Sequence, residues 1–275
     1  MKTILVPTDF SATALNAAHY AAEMAVSIHA DLLLLHVYSI PTVVSEVPLQ
    51  INVDDMMTDA ENELAKLKDE LLLKTGDKIN IRYKVQMGTF FTELEIACEL
   101  EEPYAVIMGS QGKTAAERIL FGGHTVYAMK HLMWPLITVP PGARFSSLKK
   151  IGLACDFTKA IDSTPVEEIK RLVEDLHAEL HVINSGRDET YQPDTVFESG
   201  MLQEILAPLN PQYHLITGEN ADEGIISFVE DNNIDLLVTL PKRRGLLEML
   251  AHRSISKQLV LHSDVPVMTM HPATD

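Results

Sequence analysis

The chain has 275 residues, 46% of them hydrophobic, and a net charge of −17 from 22 basic and 39 acidic residues. That length suits one large domain or two of roughly 100–150 residues each, with enough apolar material for a sizeable core. The negative field argues against nonspecific nucleic-acid binding and anionic membrane surfaces, where lysine and arginine must meet phosphates.

In chain order, the pattern opens with a buried strand over Thr3–Pro7 and a helix over Ser11–His29. Ser11 is placed to cap that helix, and Ala12, Leu15, Ala18 and Ala22 keep helical spacing. A strand over Asp31–Val37 follows, with four successive leucines. Such a continuous apolar run suits a parallel sheet covered on both faces. After a loop through Pro41 and Pro48, a helix over Val53–Lys74 puts Ala60, Leu64, Leu67 and Leu71 on one stripe. Next come a strand over Asn80–Gln86, a helix over Phe91–Leu100 and a strand over Tyr104–Met108. The glycine-rich stretch MGSQGKTAAERILFGGHT, Met108–Thr125, leads to a helix around Val126–His131 and a strand over Leu136–Val139.

Pro140-Pro141-Gly142 then marks a linker. Beyond it, strands are expected at Lys150–Ala154, Glu179–Asn184, Tyr213–Thr217, Asp235–Leu240 and Pro266–Met270. Helices fit Pro165–His177, Phe197–Leu206, Glu223–Asp231 and Ser254–Leu261, while Ser185–Asp194 matches no clear pattern.

The chain contains itself twice. Ile4-Leu5-Val6-Pro7-Thr8-Asp9-Phe10-Ser11 returns as Ile151-Gly152-Leu153-Ala154-Cys155-Asp156-Phe157-Thr158, so Asp9 recurs 147 residues on. Trp134–Val139 returns as Val265–Met270, 131 residues on. The second copy has therefore lost a net 16 residues. Two domains follow, 1–142 and 148–275. Each is an α/β unit, doubly wound, with a five-stranded parallel sheet in the order 3-2-1-4-5 flanked by helices. The two last strands are apolar and would otherwise be open edges, so the halves are expected to pack about a pseudo-twofold through them. The pattern does not decide whether two chains pair further into a homodimer.

Open α/β sheets bind ligands beyond the carboxyl ends of their strands, where the winding reverses. In the first half, Pro7-Thr8-Asp9, Val37 and the glycine stretch all border that crevice. Gly109 and Gly112 allow backbone to approach a ligand, and Gly122 and Gly123 stand just before the helix expected at Val126. Free N–H groups there would favour an anion, with Lys113 and Arg118 as nearby cations. A plain strand-to-helix connection needing left-handed turns would show the same glycines.

These residues resemble the universal stress protein family in its tandem two-domain form. Gly109-x2-Gly112-x9-Gly122 has the spacing of the family's G-x2-G-x9-G-[ST] motif, with Gly123 where the family has Ser or Thr. Val-Pro-Thr-Asp-Phe-Ser, from Val6 to Ser11, resembles the end of its first strand. The resemblance implies an adenine nucleotide site, for ATP or ADP, with Mg²⁺. Pro7, Thr8 and Asp9 would lie against adenine and ribose, Val37 would offer main chain to the adenine edge, and Met108 and Gly109 would border the ribose. Gly112, Gly122 and Gly123, with main chain near Gln111 and His124, would cradle phosphates. The motif's hydroxyl is missing at Gly123, and Thr125 is the next one along. The family also implies a stress-response regulator rather than a dedicated enzyme. No general base or arginine finger is legible, so ATP hydrolysis would at most be slow.

On the same offset the second half has Leu240, Arg243 and Arg253 in place of the three glycines, keeps Ser254, and adds Pro241. It is expected to bind no nucleotide in that manner and to support the first half. Lys242, Arg243 and Arg244 read as a solvated basic turn, and Asp156 as a helix-entry carboxylate. Cys155 reads as a buried thiol with no helper base. His177 and His181 are separated by a turn and make a poor zinc pair. No P-loop, G-x-G-x-x-G or G-x-S-x-G motif is present. A second reading is a nucleotide-independent interaction protein, and a third an enzyme on a nucleotide-like substrate. Two cysteines, Cys98 and Cys155, form no disulfide framework. With no signal-peptide pattern and no apolar run of about 18 residues, the expected compartment is the cytoplasm.

Overall fold

The computed structural model of the chain describes residues 1–39, 53–110, 115–155, 164–185, 193–216, 220–241 and 255–272; side chains at 115–122, 185 and 193–198 lie outside that description. The first half runs β1 (Lys2–Pro7), α1 (Ala12–Ile28), β2 (Ala30–Tyr38), α2 (Val53–Thr75), β3 (Ile81–Met87), α3 (Phe90–Glu101), β4 (Ala105–Gly109), α4 (Ala115–His131) and β5 (Leu136–Val139). The second half runs β6 (Lys150–Ala154), α5 (Val166–Leu176), β7 (Glu179–Ser185), α6 (Pro193–Leu206), β8 (Gln212–Ile216), α7 (Ala221–Asp231), β9 (Leu236–Thr239), α8 (Ile255–His262) and β10 (Val267–Thr269). A short 3-10 turn, Ala207–Leu209, follows α6.

All ten strands join one sheet in the order β3-β2-β1-β4-β5-β10-β9-β6-β7-β8. Each half has the expected 3-2-1-4-5 winding, and the halves meet where β5 and β10 pair antiparallel. One apolar layer collects α1, α2, α5 and α6 on one face of the sheet. The other collects α3, α4, α7 and α8. Leu32 and Leu34 of β2 enter the first layer, Leu33 and Leu35 the second. That alternation explains why the strand is leucine throughout.

The joint between halves is reciprocal. Ile137 opposes Met268 at its centre. Thr138 Oγ1 donates to the Val267 carbonyl at 3.0 Å, and Thr269 Oγ1 donates to the Leu136 carbonyl at 3.4 Å. Thr138 and Thr269, like Leu136 and Val267, are equivalent under the 131-residue offset. A pseudo-twofold therefore passes through the Ile137–Met268 pair. Around it, Lys2 pairs with Asp175 at 2.6 Å, and the Arg171 guanidinium sits 5.0 Å from the Tyr104 ring centre. The linker is pinned at both ends. Asn16 Nδ2 donates to the Pro140 and Ala143 carbonyls, while the amides of Lys149 and Lys150 both donate to Asp235 Oδ2.

One expectation about the glycine stretch is overturned. The last helix of the first half begins at Ala115 and not near Val126, so Gly122 and Gly123 lie near the middle of the 17-residue α4. Ala115, Ala116, Glu117, Arg118 and Leu120 are strong helix formers. Together with Ile119 they offset the cost of about 1 kcal/mol that each interior glycine imposes. The two glycines present no helix N-terminus here, and their amides fall within the helix ladder.

Candidate functional site

The turn from β1 into α1 is built by its own polar side chains. The Thr8 amide donates to the Leu35 carbonyl of β2 at 2.8 Å, which holds the strand end against its neighbour. Thr8 Oγ1 accepts from the Phe10 amide, and Asp9 Oδ1 accepts from the Ser11 amide at 3.0 Å. These local bonds stabilise Phe10 at φ +61°, a left-handed conformation that a bulky residue rarely adopts. Ser11 Oγ then accepts from the Ala14 amide and caps α1. Pro7 and Thr8 end up buried, whereas Asp9 is exposed at the rim.

The neighbouring strand ends converge on the same place. Parallel pairing of β1 with β4 sets Leu5 beside Val106, and that register carried forward brings Thr8 abreast of Gly109. Met108 is buried in β4, and Val37 is half-buried in β2. Pro7, Thr8, Asp9, Met108 and Gly109 thus gather at the switch point, with Val37 one strand away. Gln111 and Gly112 lie outside the described residues, as does Lys113; Arg118 is in α4, but its side chain is not described.

Gly109 is small for a reason internal to the fold. A Cβ there would stand 2.6 Å from the Thr13 carbonyl oxygen and 2.8 Å from its carbon. The glycine lets the backbone of α1 lie directly on the end of β4. Gly123 differs, since a Cβ there would meet nothing within 4 Å. The Thr125 hydroxyl is already engaged, donating to the Gly109 carbonyl at 3.2 Å. His124 is exposed, and its ring stacks on Phe90 at 4.7 Å and meets Phe91 edge-on at 5.3 Å.

One crevice residue was not legible from spacing. His36 Nδ1 donates to the Thr8 carbonyl at 2.8 Å, and its ring lies 4.8 Å from that of Phe10. The second half repeats the device with a different side chain: Asn184 Nδ2 donates to the Cys155 carbonyl at 3.0 Å. Thr8 and Cys155 are equivalent in sequence, and His36 and Asn184 are equivalent in strand register, each one residue beyond the Pro7–Leu35 and Ala154–Ile183 pairs. No periodicity marks either residue: His36 is followed by Val37 and Tyr38 within β2, and β7 carries His181 as well as Asn184. Cys155 is buried as expected. Ser256, the counterpart of Thr125, shares a hydrogen bond of 2.9 Å with Thr239. Asp156, Lys242, Arg243, Arg244, Arg253 and Ser254 lie outside the described residues.

Away from the crevice, His177 caps α5 in a left-handed conformation, and His181 points from β7 towards β8. His181 Nδ1 and His214 Nε2 share a hydrogen bond of 3.0 Å, with Phe228 packed on His214 at 4.6 Å. Burial holds both imidazoles below the ordinary histidine range, and the pair's own repulsion adds to this for His181. Burial pushes the Cys98 thiol up to about 12, where it is inert as a nucleophile near neutral pH. Among the described residues no group of three His, Cys, Asp or Glu is arranged to hold a metal, and no helix is long and apolar enough to cross a membrane.

The model of the universal stress protein family matches the chain twice, over residues 1–140 and 147–271. The universal stress protein Slr1230 of Synechocystis is 25% identical, with 98% of this chain and 99% of that protein aligned. The universal stress protein MJ0577 of Methanocaldococcus jannaschii is 28% identical over 152 residues, covering 50% of this chain and 94% of the relative. Among solved structures, a universal stress protein from Archaeoglobus fulgidus superposes with a TM-score of 0.75 at 19% identity, covering 98% of both chains.

Proposed function

Since this chain belongs to the universal stress protein family, we propose that its first half binds an adenine nucleotide, ATP or ADP, and that it regulates a stress response through that occupancy. The observation that carries this reading is the meeting of β1 and β4 at the switch point, with the exposed Asp9 carboxylate at its rim. Asp9 Oδ1 accepts from the Ser11 amide, and on this reading Oδ2 accepts from a ligand hydroxyl. In this arrangement Pro7, Thr8 and Asp9 flank adenine and ribose, Val37 offers its main chain to the base, and Met108 and Gly109 border the sugar. Gln111 and Gly112 supply main chain to the phosphates, joined by Gly122, Gly123 and His124 once α4 opens at the glycine pair, since in the closed helix those amides are within its ladder. Thr125 keeps its hydroxyl on Gly109, so the terminal phosphate depends on amides. Mg²⁺ would neutralise phosphate charge that an acidic protein cannot. The functional units are 1–142 and 148–275, and the second supports the first without a nucleotide of its own. Its place in the cell, on this reading, is the cytoplasm.

A second reading, a nucleotide-independent interaction protein, draws on the course of α4. That helix runs through Gly122 and Gly123 without offering an N-terminus to an anion. Calorimetric titration with ATP, with and without Mg²⁺, separates the two. Nucleotide binding predicts one site per chain, lost in Gly112→Arg and in Gly122→Arg. Unchanged binding in both variants refutes the cradle, two equal sites refute the division of labour, and absence of binding leaves the second reading.

A further inference from the structure

Among the described residues the ten-stranded sheet ends at β3 and β8, with no further strand paired to either, and the two edges are defended differently. β3 carries Arg82 and Lys84, and Arg82 is paired with Glu101 at 2.6 Å. Lys68 lies 5.9 Å above the Tyr83 ring. Charges along an edge are how sheets deter unwanted pairing. β8 reads Gln212-Tyr213-His214-Leu215-Ile216 and has no charged lysine, arginine, aspartate or glutamate. Tyr213 is nevertheless 39% exposed and Leu215 63% exposed, side by side on one face.

We propose that β8 is a docking edge for a second copy of this chain, paired antiparallel about a twofold axis through His214. In that register Tyr213 of each copy faces Leu215 of the other, and Gln212 faces Ile216. An aromatic–aliphatic contact is thereby made twice, between side chains that otherwise stand in water. The uncharged strand is compatible with itself, whereas β3 paired about Tyr83 would set Arg82 of each copy against Lys84 of the other. Within the chain the same kind of joint already operates, since β5 and β10 pair antiparallel about a pseudo-twofold. A β8 joint would continue that sheet by the same geometry. A five-residue strand makes a small interface, so the association is weak and concentration-dependent.

Sedimentation velocity over rising protein concentration tests this. The expected result is a reversible monomer–dimer equilibrium that salt strengthens, because salt screens the repulsion between two acidic chains. Leu215→Lys replaces an exposed side chain and is expected to stay monomeric throughout, with an unchanged melting temperature. Tyr83→Lys, on the other edge, is expected to dimerise like the parent. A second measurement does not depend on affinity. In the double variant Tyr213→Cys/Leu215→Cys, opposed residues would have Cα atoms about 4.5–5.5 Å apart, within the roughly 4.4–6.8 Å that a disulfide spans. Mild oxidation should give a covalent dimer, and Tyr83→Cys should not. A parent chain that stays monomeric at the highest concentration overturns the proposal. So does a Leu215→Lys variant that dimerises undiminished, or a dimer abolished by Tyr83→Lys instead.

Discussion

Gly109→Ala separates the two reasons a glycine can stand at the end of β4. The new Cβ would lie 2.6 Å from the Thr13 carbonyl oxygen and 2.8 Å from its carbon, both backbone atoms of α1. Neither can rotate away, so α1 must shift off the strand or the strand must bend. Overpacking of this kind costs about 1–3 kcal/mol. For a chain of this size each kcal/mol lowers the melting temperature by roughly 2–4 °C, so a drop on the order of 2–12 °C is expected. Scanning calorimetry of the nucleotide-free protein measures it. Gly123→Ala is the matched control, because its Cβ meets open space inside a helix. It is expected to raise stability by up to about 1 kcal/mol. An unchanged melting temperature for Gly109→Ala, or an equal loss for Gly123→Ala, would refute the packing argument. The same control bears on binding. If phosphate contact requires the helix to open at the glycine pair, Gly123→Ala opposes that by about 1 kcal/mol and weakens ATP binding roughly fivefold.

Other expected outcomes follow from single contacts. Both His181 and His214 have folded values below the ordinary range, so the unfolded chain binds more protons than the folded one once pH falls below about 6.5. Their contribution to stability is therefore present above that pH and lost as pH falls towards the folded values. Urea midpoints at neutral and mildly acidic pH should converge in the double variant His181→Leu/His214→Leu relative to the parent, and an identical pH slope would contradict this. Asp235→Ala removes an acceptor shared by two backbone amides at 2.8 and 2.9 Å. A loss of about 1.5–3 kcal/mol is expected from denaturant titration. Thr138→Val should cost about 1 kcal/mol and Thr269→Val somewhat less, since its bond is the longer of the two; equal stability of both variants and the parent would remove the hydroxyls from the account of the joint.

What the sequence determined by itself was periodic or repeated. The leucine run of β2, the stripe of α2 and the return of Asp9 as Asp156 led to two doubly wound halves, because burial on one face or two leaves a local signature in the residue pattern; the order 3-2-1-4-5 came with that fold class and not from periodicity. The crevice of Pro7, Thr8, Asp9, Met108 and Gly109 followed from that order. Tertiary structure alone decided how the pieces are used. Thr13 occupies the space beside Gly109, the Thr125 hydroxyl turns to the Gly109 carbonyl, and His36 closes onto Thr8. Thr138 and Thr269 exchange bonds across the pseudo-twofold. These contacts join residues tens to more than a hundred positions apart, and no periodicity in a local window encodes them. The course of α4 was misjudged for a related reason. Two glycines suggested a helix boundary, but the helix-forming residues before them outweighed the small local cost, a balance that summed free energies decide and a motif does not display.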